Sequence, residues 1–289
     1  MEISGYPRIR SVYADDALAI LLTHNVGMAT QPSTLSAVSE DSGQQPQTIR
    51  AVLGLRGLII EGALQPGARV LEQMLVDRLG VSRTPARIAM LRVCEEGLIE
   101  ELPTGGYAVA RFSEEDVFDA IAIRGNLEGM AARLAAERGV SPNLLARMQS
   151  CVDDLDEVIA RLETSSDLTD YVRLNDYFHD LLHEAAQSPM LMRSLERIVV
   201  LPFAAPNAFV SVTQSDSAAV RAVLMVSQEQ HRSIVDAIKR REGTRAESIT
   251  MEHSRSAWKY LKLILNGGDS KLLLPGMNLV VPSKATSTR

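Results

Sequence analysis

The chain of 289 residues is poor in aromatics, 4% in all with a single tryptophan, and has two cysteines. Few rings, with abundant alanine, leucine, arginine and glutamate, favour helices over sheets. Cys94 and Cys151 each fall within an amphipathic helical pattern. Two such residues make no disulfide framework, which points to a reducing, cytoplasmic setting. No run of 18 apolar residues occurs, so no membrane span and no membrane partner are expected. The N-terminus offers only Ala17–Leu22, behind Asp15 and Asp16. A secretory signal needs a basic flank and a longer apolar stretch, which excludes that reading. The formal charge of −6 argues against general coating of nucleic acid but leaves room for a local basic face.

What is present divides the chain into four stretches. Residues 1–46 form an extension expected to be partly disordered, poorly structured where it is polar and low in apolar residues from Thr30 to Gln47, with a short helix expected around Asp15–His24. Residues 47–112 carry a tight pattern. Ile49, Val52, Leu53, Arg56 and Ile59 follow a helical period that stops at Gly62. A turn at Pro66-Gly67 leads to a second helix, Leu71–Leu79, closed by Gly80. Ser82 then stands at the N-cap of a third helix with Pro85 in its first turn. That helix is expected to bury Ala86, Ala89, Met90 and Val93 and ends at Gly97. Leu98–Leu102 and Tyr107–Arg111 flank Thr104-Gly105-Gly106 as a hairpin. Helix, glycine turn, capped helix and hairpin make a winged helix-turn-helix. The third helix has a second face of Ser82, Arg83, Thr84 and Arg87. Guanidinium groups grip phosphate or read guanine, and a helix N-terminus favours phosphate. A solvated polar face is the alternative.

The runs Leu64-Gln65-Pro66-Gly67-Ala68-Arg69-Val70, Leu79-Gly80-Val81-Ser82-Arg83-Thr84-Pro85-Ala86-Arg87 and Glu96-Gly97-Leu98-Ile99 closely resemble the N-terminal domain of the GntR family of bacterial regulators. The resemblance implies that Arg83, Thr84 and Arg87 contact operator DNA, with Gln73 and Gly106 facing phosphate or the minor groove. Two positions depart from the family pattern. Ile88 stands where glutamate is usual, and Gly105 where the wing often carries a basic residue.

Residues 113–267 read as helices throughout. A capping-box pattern, Ser113-Glu114-Glu115-Asp116, opens one that runs to about Arg138, and Ser141-Pro142 starts another to about Leu162. Further helices are expected at 168–186, 189–204, 214–241 and 245–265. The fold class is therefore mainly α, a winged helix-turn-helix followed by an all-α antiparallel bundle. Residues 268–289 form a tail whose apolar clusters, Leu272–Leu274 and Leu279–Val281, are expected to dock on the bundle or on a partner.

Four of the five histidines fall in the helical region: His179, His183, His231 and His253. His231 and His253 lie at similar distances either side of a turn near Glu242-Gly243-Thr244, so a helical hairpin returns both imidazoles to one height. Facing histidines suit zinc, with nickel or iron as alternatives. Asn175 lies one helical turn before His179. Arg124-Gly125-Asn126-Leu127-Glu128, Asn175-Asp176-Tyr177-Phe178-His179, Gln230-His231 and Met251-Glu252-His253 resemble the FCD effector domain of FadR-like GntR regulators. That resemblance implies a divalent metal on Asn175, His179, His231 and His253, with Asn175 replacing the more usual aspartate. It also implies a small carboxylate effector, with Arg124 a candidate to bind it. Arg124 paired with Glu128, and His183 packed rather than lining a cavity, are the structural alternatives.

The function expected is a homodimeric, ligand-responsive repressor or activator on a palindromic operator, and no enzyme. A sensor of the metal itself, and a metal-dependent hydrolase, are the rivals. The hydrolase lacks a clear general base and a glycine-rich phosphate loop.

Overall fold

A computed structural model describes residues 44–162, 167–208, 218–266 and 276–281. The expected helix at Asp15–His24 and the cluster Leu272–Leu274 lie outside the described residues. The chain divides into two compact units, one of which takes both Asp15–Glu114 and the C-terminal Pro275–Arg289.

In the first unit, α1 (Gln44–Ile60) begins within the polar stretch that composition marked as poorly structured. It buries Ala51, Val52, Leu55 and Ile59, while Ile49 and Leu53 stay exposed. Strand β1 (Arg69–Val70), helix α2 (Glu72–Leu79) and helix α3 (Arg83–Glu95) follow, then strands β2 (Ile99–Glu101) and β3 (Tyr107–Val109). Ala86, Ala89, Met90 and Val93 are the buried stripe of α3, with Pro85. Arg56 of α1 holds Glu96 at the end of α3, with Nε 2.7 Å from Oε2 and a second bond from Nη2 to Oε1. This half-buried, forked pair locks the two helices in register.

The sheet has the order β1-β3-β2, antiparallel throughout. Its hairpin turns at Gly105 and Gly106, with φ of 83° and 82°. Side chains with a Cβ rarely adopt that conformation, which explains the two consecutive glycines.

The tail completes this unit. A short 3₁₀ turn, Met277–Leu279, buries Met277, Leu279 and Val280. Asn278 Nδ2 donates to Ile59 O at 2.8 Å and Gly276 N to Ile60 O at 3.3 Å, so the tail caps carbonyls at the end of α1. Phe112 N donates to Leu279 O at 3.0 Å and Val281 N to Phe112 O at 2.8 Å, forming a parallel bridge. The tail was expected to seek the bundle or a partner. Its described residues cover the end of α1 and Phe112 instead, where open backbone groups await partners.

The second unit comprises α4 (Glu114–Arg138), α5 (Pro142–Arg161), α6 (Thr169–Ala186), α7 (Pro189–Val199), α8 (Ala218–Lys239) and α9 (Gly243–Asn266). Ser141 caps α5 by accepting from Leu144 N, and Ser188 caps α7 by accepting from Leu191 N. Helix α7 stops at Val199, short of the expected residue 204. Pro202 disfavours helix in the residue before it and offers no N–H. Helices α8 and α9 form a hairpin across a tight turn in which Arg241 has φ 64°. Helix α4 approaches α9 closely at Gly125, where an added Cβ would stand 2.8 Å from Ser254 Cβ. No helix among the described residues is long and apolar enough to cross a membrane.

Candidate functional site

On α3, Arg83, Thr84 and Arg87 are all exposed, and so is Ser82 before them. Ser82 occupies the N-cap position but gives the helix no side-chain cap. Its Oγ instead donates to Gln47 Oε1 at 3.2 Å. Arg87 is 73% exposed and touches Glu72 of α2, Nη2 to Oε2 at 3.1 Å. An exposed ion pair of this kind contributes about 0–1 kcal/mol, so a phosphate or a guanine edge can replace the carboxylate. Gln73 is exposed and donates to Asp77 Oδ1 at 2.8 Å, and Gly106 sits at the exposed wing tip. The wing's hairpin lacks its own cation at Gly105. Arg69 of β1 brings a guanidinium there, Nη2 lying 3.3 Å from Thr104 Oγ1.

In the helical unit the three histidines converge. His231 Nε2 lies 3.1 Å from His253 Nε2. His179 joins them, its ring centroid 5.4 Å from that of His253 and 6.1 Å from that of His231. One ligand nitrogen from each fits within 4.8 Å of the others. The proton positions follow from what each Nδ1 touches. His179 Nδ1 is 2.9 Å from Glu128 Oε1, an acceptor. His231 Nδ1 is 3.0 Å from Gln228 Oε1. The Gln228 amide is itself oriented, because its Nε2 donates to Val152 O and Asp156 Oδ1, each at 2.7 Å. His253 Nδ1 is 3.3 Å from Gln230 Oε1, which Ser256 Oγ also donates to. A neutral imidazole carries one N–H, so all three rings spend theirs on Nδ1 and keep a lone pair on Nε2.

Bare lone pairs 3.1 Å apart repel unless a proton or a metal ion lies between them. With metal–imidazole bonds of about 2.0–2.1 Å, two nitrogens on one ion stand about 2.9 Å apart at right angles and about 3.4 Å apart in a tetrahedron. The observed separation falls within that span. Burial holds His231 well below the usual imidazole range and pushes His253 down to about 3, with neighbouring histidines adding to it. Burial also lowers His179, despite the opposing pull of Glu128. Neutral rings are the form that ligates.

Asn175 is buried, and its Oδ1 has no hydrogen-bond partner among the described residues. A buried carbonyl oxygen without a partner costs about 1–3 kcal/mol, and a cation would satisfy it. Asn175 and His253 line a cleft of ≈ 430 Å³, open solvent included, together with Arg124, Asn207, Ser227 and Tyr260. His183 does not line it. That ring is buried, its Nε2 3.4 Å from Glu128 Oε1, with no well-formed hydrogen bond at either nitrogen. For Arg124 the pairing with Glu128 is present, and the side chain also borders the cleft. It lines the cleft, is 2% exposed, and places Nη1 3.5 Å from Glu128 Oε2. Burial raises Glu128, but the electrostatic pull of His179 and Arg124, with the hydrogen bond from His179, outweighs it and holds the carboxyl well below its usual range.

Two family models match the chain. "Bacterial regulatory proteins, gntR family" covers residues 48–109 and the FCD domain covers residues 119–256. The D-xylose utilization operon repressor described as probable in Paenarthrobacter nicotinovorans is 30% identical over 200 residues, covering 68% of this chain and 80% of that one. The chain belongs to the GntR family. Among its relatives, the transcriptional repressor GlaR of Escherichia coli is 26% identical over 220 residues, covering 71% of this GntR protein and 93% of that one. The solved structure of E. coli McbR/YncC shares the fold, with a TM-score of 0.54 at 22% identity over 75% of this chain and 97% of that one. This GntR protein is a DNA-binding transcriptional regulator and not an enzyme.

Several residues of this GntR site escape sequence reading. Glu128, Gln228, Gln230 and Asn207 fix the rings and amide of the cluster, yet Glu128 lies 51 residues from His179, its partner. Gln228 signals itself only by polarity at a helix position that the apolar period would assign to the core, and Asn207 stands in a loop. Glu128 and Gln230 stand in the family-like motifs without showing which ring they orient.

Proposed function

We propose that this regulator is a homodimeric repressor. It holds a palindromic operator through α3 and releases it when a small carboxylate enters the cleft, beside a divalent cation on Asn175, His179, His231 and His253. The observation that carries this reading is the set of three histidine rings that each offer a nitrogen within 4.8 Å of the others in one buried space, next to an unpartnered amide oxygen. The donor set, three imidazoles and a carbonyl, suits zinc, nickel or iron. All four donors are neutral, and the nearby Glu128 charge is matched by Arg124. A bound divalent ion would supply an uncompensated positive centre, to which an anionic oxygen ligand is the natural complement.

Residues of the chain divide the remaining work. Glu128, Gln228 and Gln230 orient the rings, while Ser227 and Tyr260 offer hydroxyls to an entering acid. Helix α4 offers a second copy the exposed Ile123 and Met130, seven residues apart on one face. Two copies of α3 about a two-fold axis read two half-sites. The relatives named as repressors favour release over recruitment.

The test is metal analysis and native mass spectrometry of protein purified without chelator, followed by operator mobility shifts with a panel of small organic acids. The reading expects about one ion per chain and an acid that dissociates the complex. Protein without bound metal, or operator binding that answers to metal alone, overturns it.

A further inference from the structure

The identity of the residue at position 175 is set from outside the ligand cluster. Asn207, in the loop after α7, makes three contacts with α6. Its Nδ2 donates to Val172 O at 2.9 Å and to Asp176 Oδ1 at 2.7 Å, and its Oδ1 accepts from Asn175 Nδ2 at 3.0 Å. A main-chain carbonyl can only accept, so Val172 O demands the amino side of Asn207 whatever the protonation of Asp176. Asn207 therefore turns its carbonyl towards residue 175, and residue 175 must answer with a donor. An asparagine does so and leaves Oδ1 on its other side, where the structure has it buried without a partner.

We infer that Asn207 is a positioning residue that selects an amide, and rejects a carboxylate, at ligand position 175. An aspartate there would set a carboxylate oxygen against Asn207 Oδ1. Rotating the Asn207 amide would relieve that contact only by aiming its oxygen at Val172 O and Asp176. Either arrangement opposes two acceptors in a buried setting, and protonating the aspartate to escape it removes the charge that made it the stronger ligand. The consequence is a ligand set with no formal charge, which reserves the charge of the ion for the effector. This inference rests on the metal reading proposed above.

The experiment measures Zn²⁺ affinity of the full chain by competition with a chromophoric chelator, for the native protein, Asn207→Ala, Asn175→Asp and the double variant. Loss of an orienting partner typically costs 10–100-fold in metal affinity, and Asn207→Ala is expected in that range. Asn175→Asp alone is expected to bind no tighter than the native protein despite its added charge. In the double variant the opposing oxygen is gone, and affinity is expected to exceed that of Asn175→Asp at least tenfold. A merely structural role for Asn207 would weaken the double variant further and not rescue it. If the native protein binds Zn²⁺ but Asn175→Asp binds it tenfold more tightly, the role of Asn207 is refuted and the metal site stands. If the native protein binds no Zn²⁺, both fall. Should Asn207→Ala fail to fold, the comparison of Asn175→Asp with the native protein decides.

Discussion

Glutamine at position 128 would keep the shape of the side chain and remove its charge, leaving Arg124 buried without its ion-pair partner. Arg124 Nη1 and Glu128 Oε2 are 3.5 Å apart, with side-chain exposures of 2% and 0%. At an effective dielectric constant of about 20, unit charges at that distance attract by about 5 kcal/mol. The amide oxygen of Gln still accepts a hydrogen bond, which retains part of this. Arginine cannot escape by losing its proton, and its Nε already lacks a partner. Breaking a buried pair from one side costs about 3–5 kcal/mol, in agreement with the Coulomb figure. At about 2–4 °C per kcal/mol for a unit of this size, Glu128→Gln lowers the melting temperature of the helical unit by about 6–20 °C. Far-ultraviolet circular dichroism of chelator-treated protein at neutral pH reads this directly. The double variant Arg124→Met/Glu128→Leu removes both charges and is expected to recover at least half of the loss. A shift for Glu128→Gln of under about 2 °C, or a double variant no better than the single, refutes the buried-pair reasoning.

Arg87→Ala weakens operator binding by about 1–3 kcal/mol if the guanidinium reads a base, whereas Glu72→Gln changes it by under about 1 kcal/mol. Mobility shifts at one salt concentration compare them, and equal losses would mean that the ion pair, not the arginine, matters. Metal-free protein loses stability in acid. Unfolded histidine takes a proton near pH 6.5, but folded His253 does so only at about 3 and His231 also well below its usual range. The unfolded chain thus binds more protons between those values, so stability present above about pH 6.5 erodes as pH falls through that window. A urea midpoint that stays flat from about pH 7.5 to about pH 4.5 contradicts this. Gly125→Ala gains about 1 kcal/mol of helix propensity but drives a Cβ to 2.8 Å from Ser254 Cβ. Overpacking of this kind costs about 1–3 kcal/mol, so thermal unfolding is expected at a lower temperature; an unchanged or higher one would show that α4 and α9 separate freely.

The parts legible in the sequence are those carried by local periodicity. The stripe Ala86, Ala89, Met90, Val93 and the stops at Gly80 and Gly97 outline the winged helix, because each acts within one or two helical turns. The approach of His231 to His253 could be read because a short turn reverses the helix and chain length alone fixes the height. Glu128, Gln228 and Asn207 could not, since their roles depend on which helices pack together and on the rotation of each about its axis. The strand Arg69–Val70 is too short to leave a pattern, and its pairing with β3 decides where Arg69 stands. Helix α7 was drawn too long because apolar residues continue past Val199, and Pro202 outweighs them.

The winged helix is not one uninterrupted stretch of polypeptide. Its last piece is encoded after the whole helical unit, where Gly276 and Asn278 close the end of α1 and Leu279 to Val281 flank Phe112. A premature stop codon late in the gene therefore strikes the reader of DNA before it touches the sensor. A transplanted sensor domain leaves Ile59 O and Ile60 O without these donors unless the graft brings the tail with it.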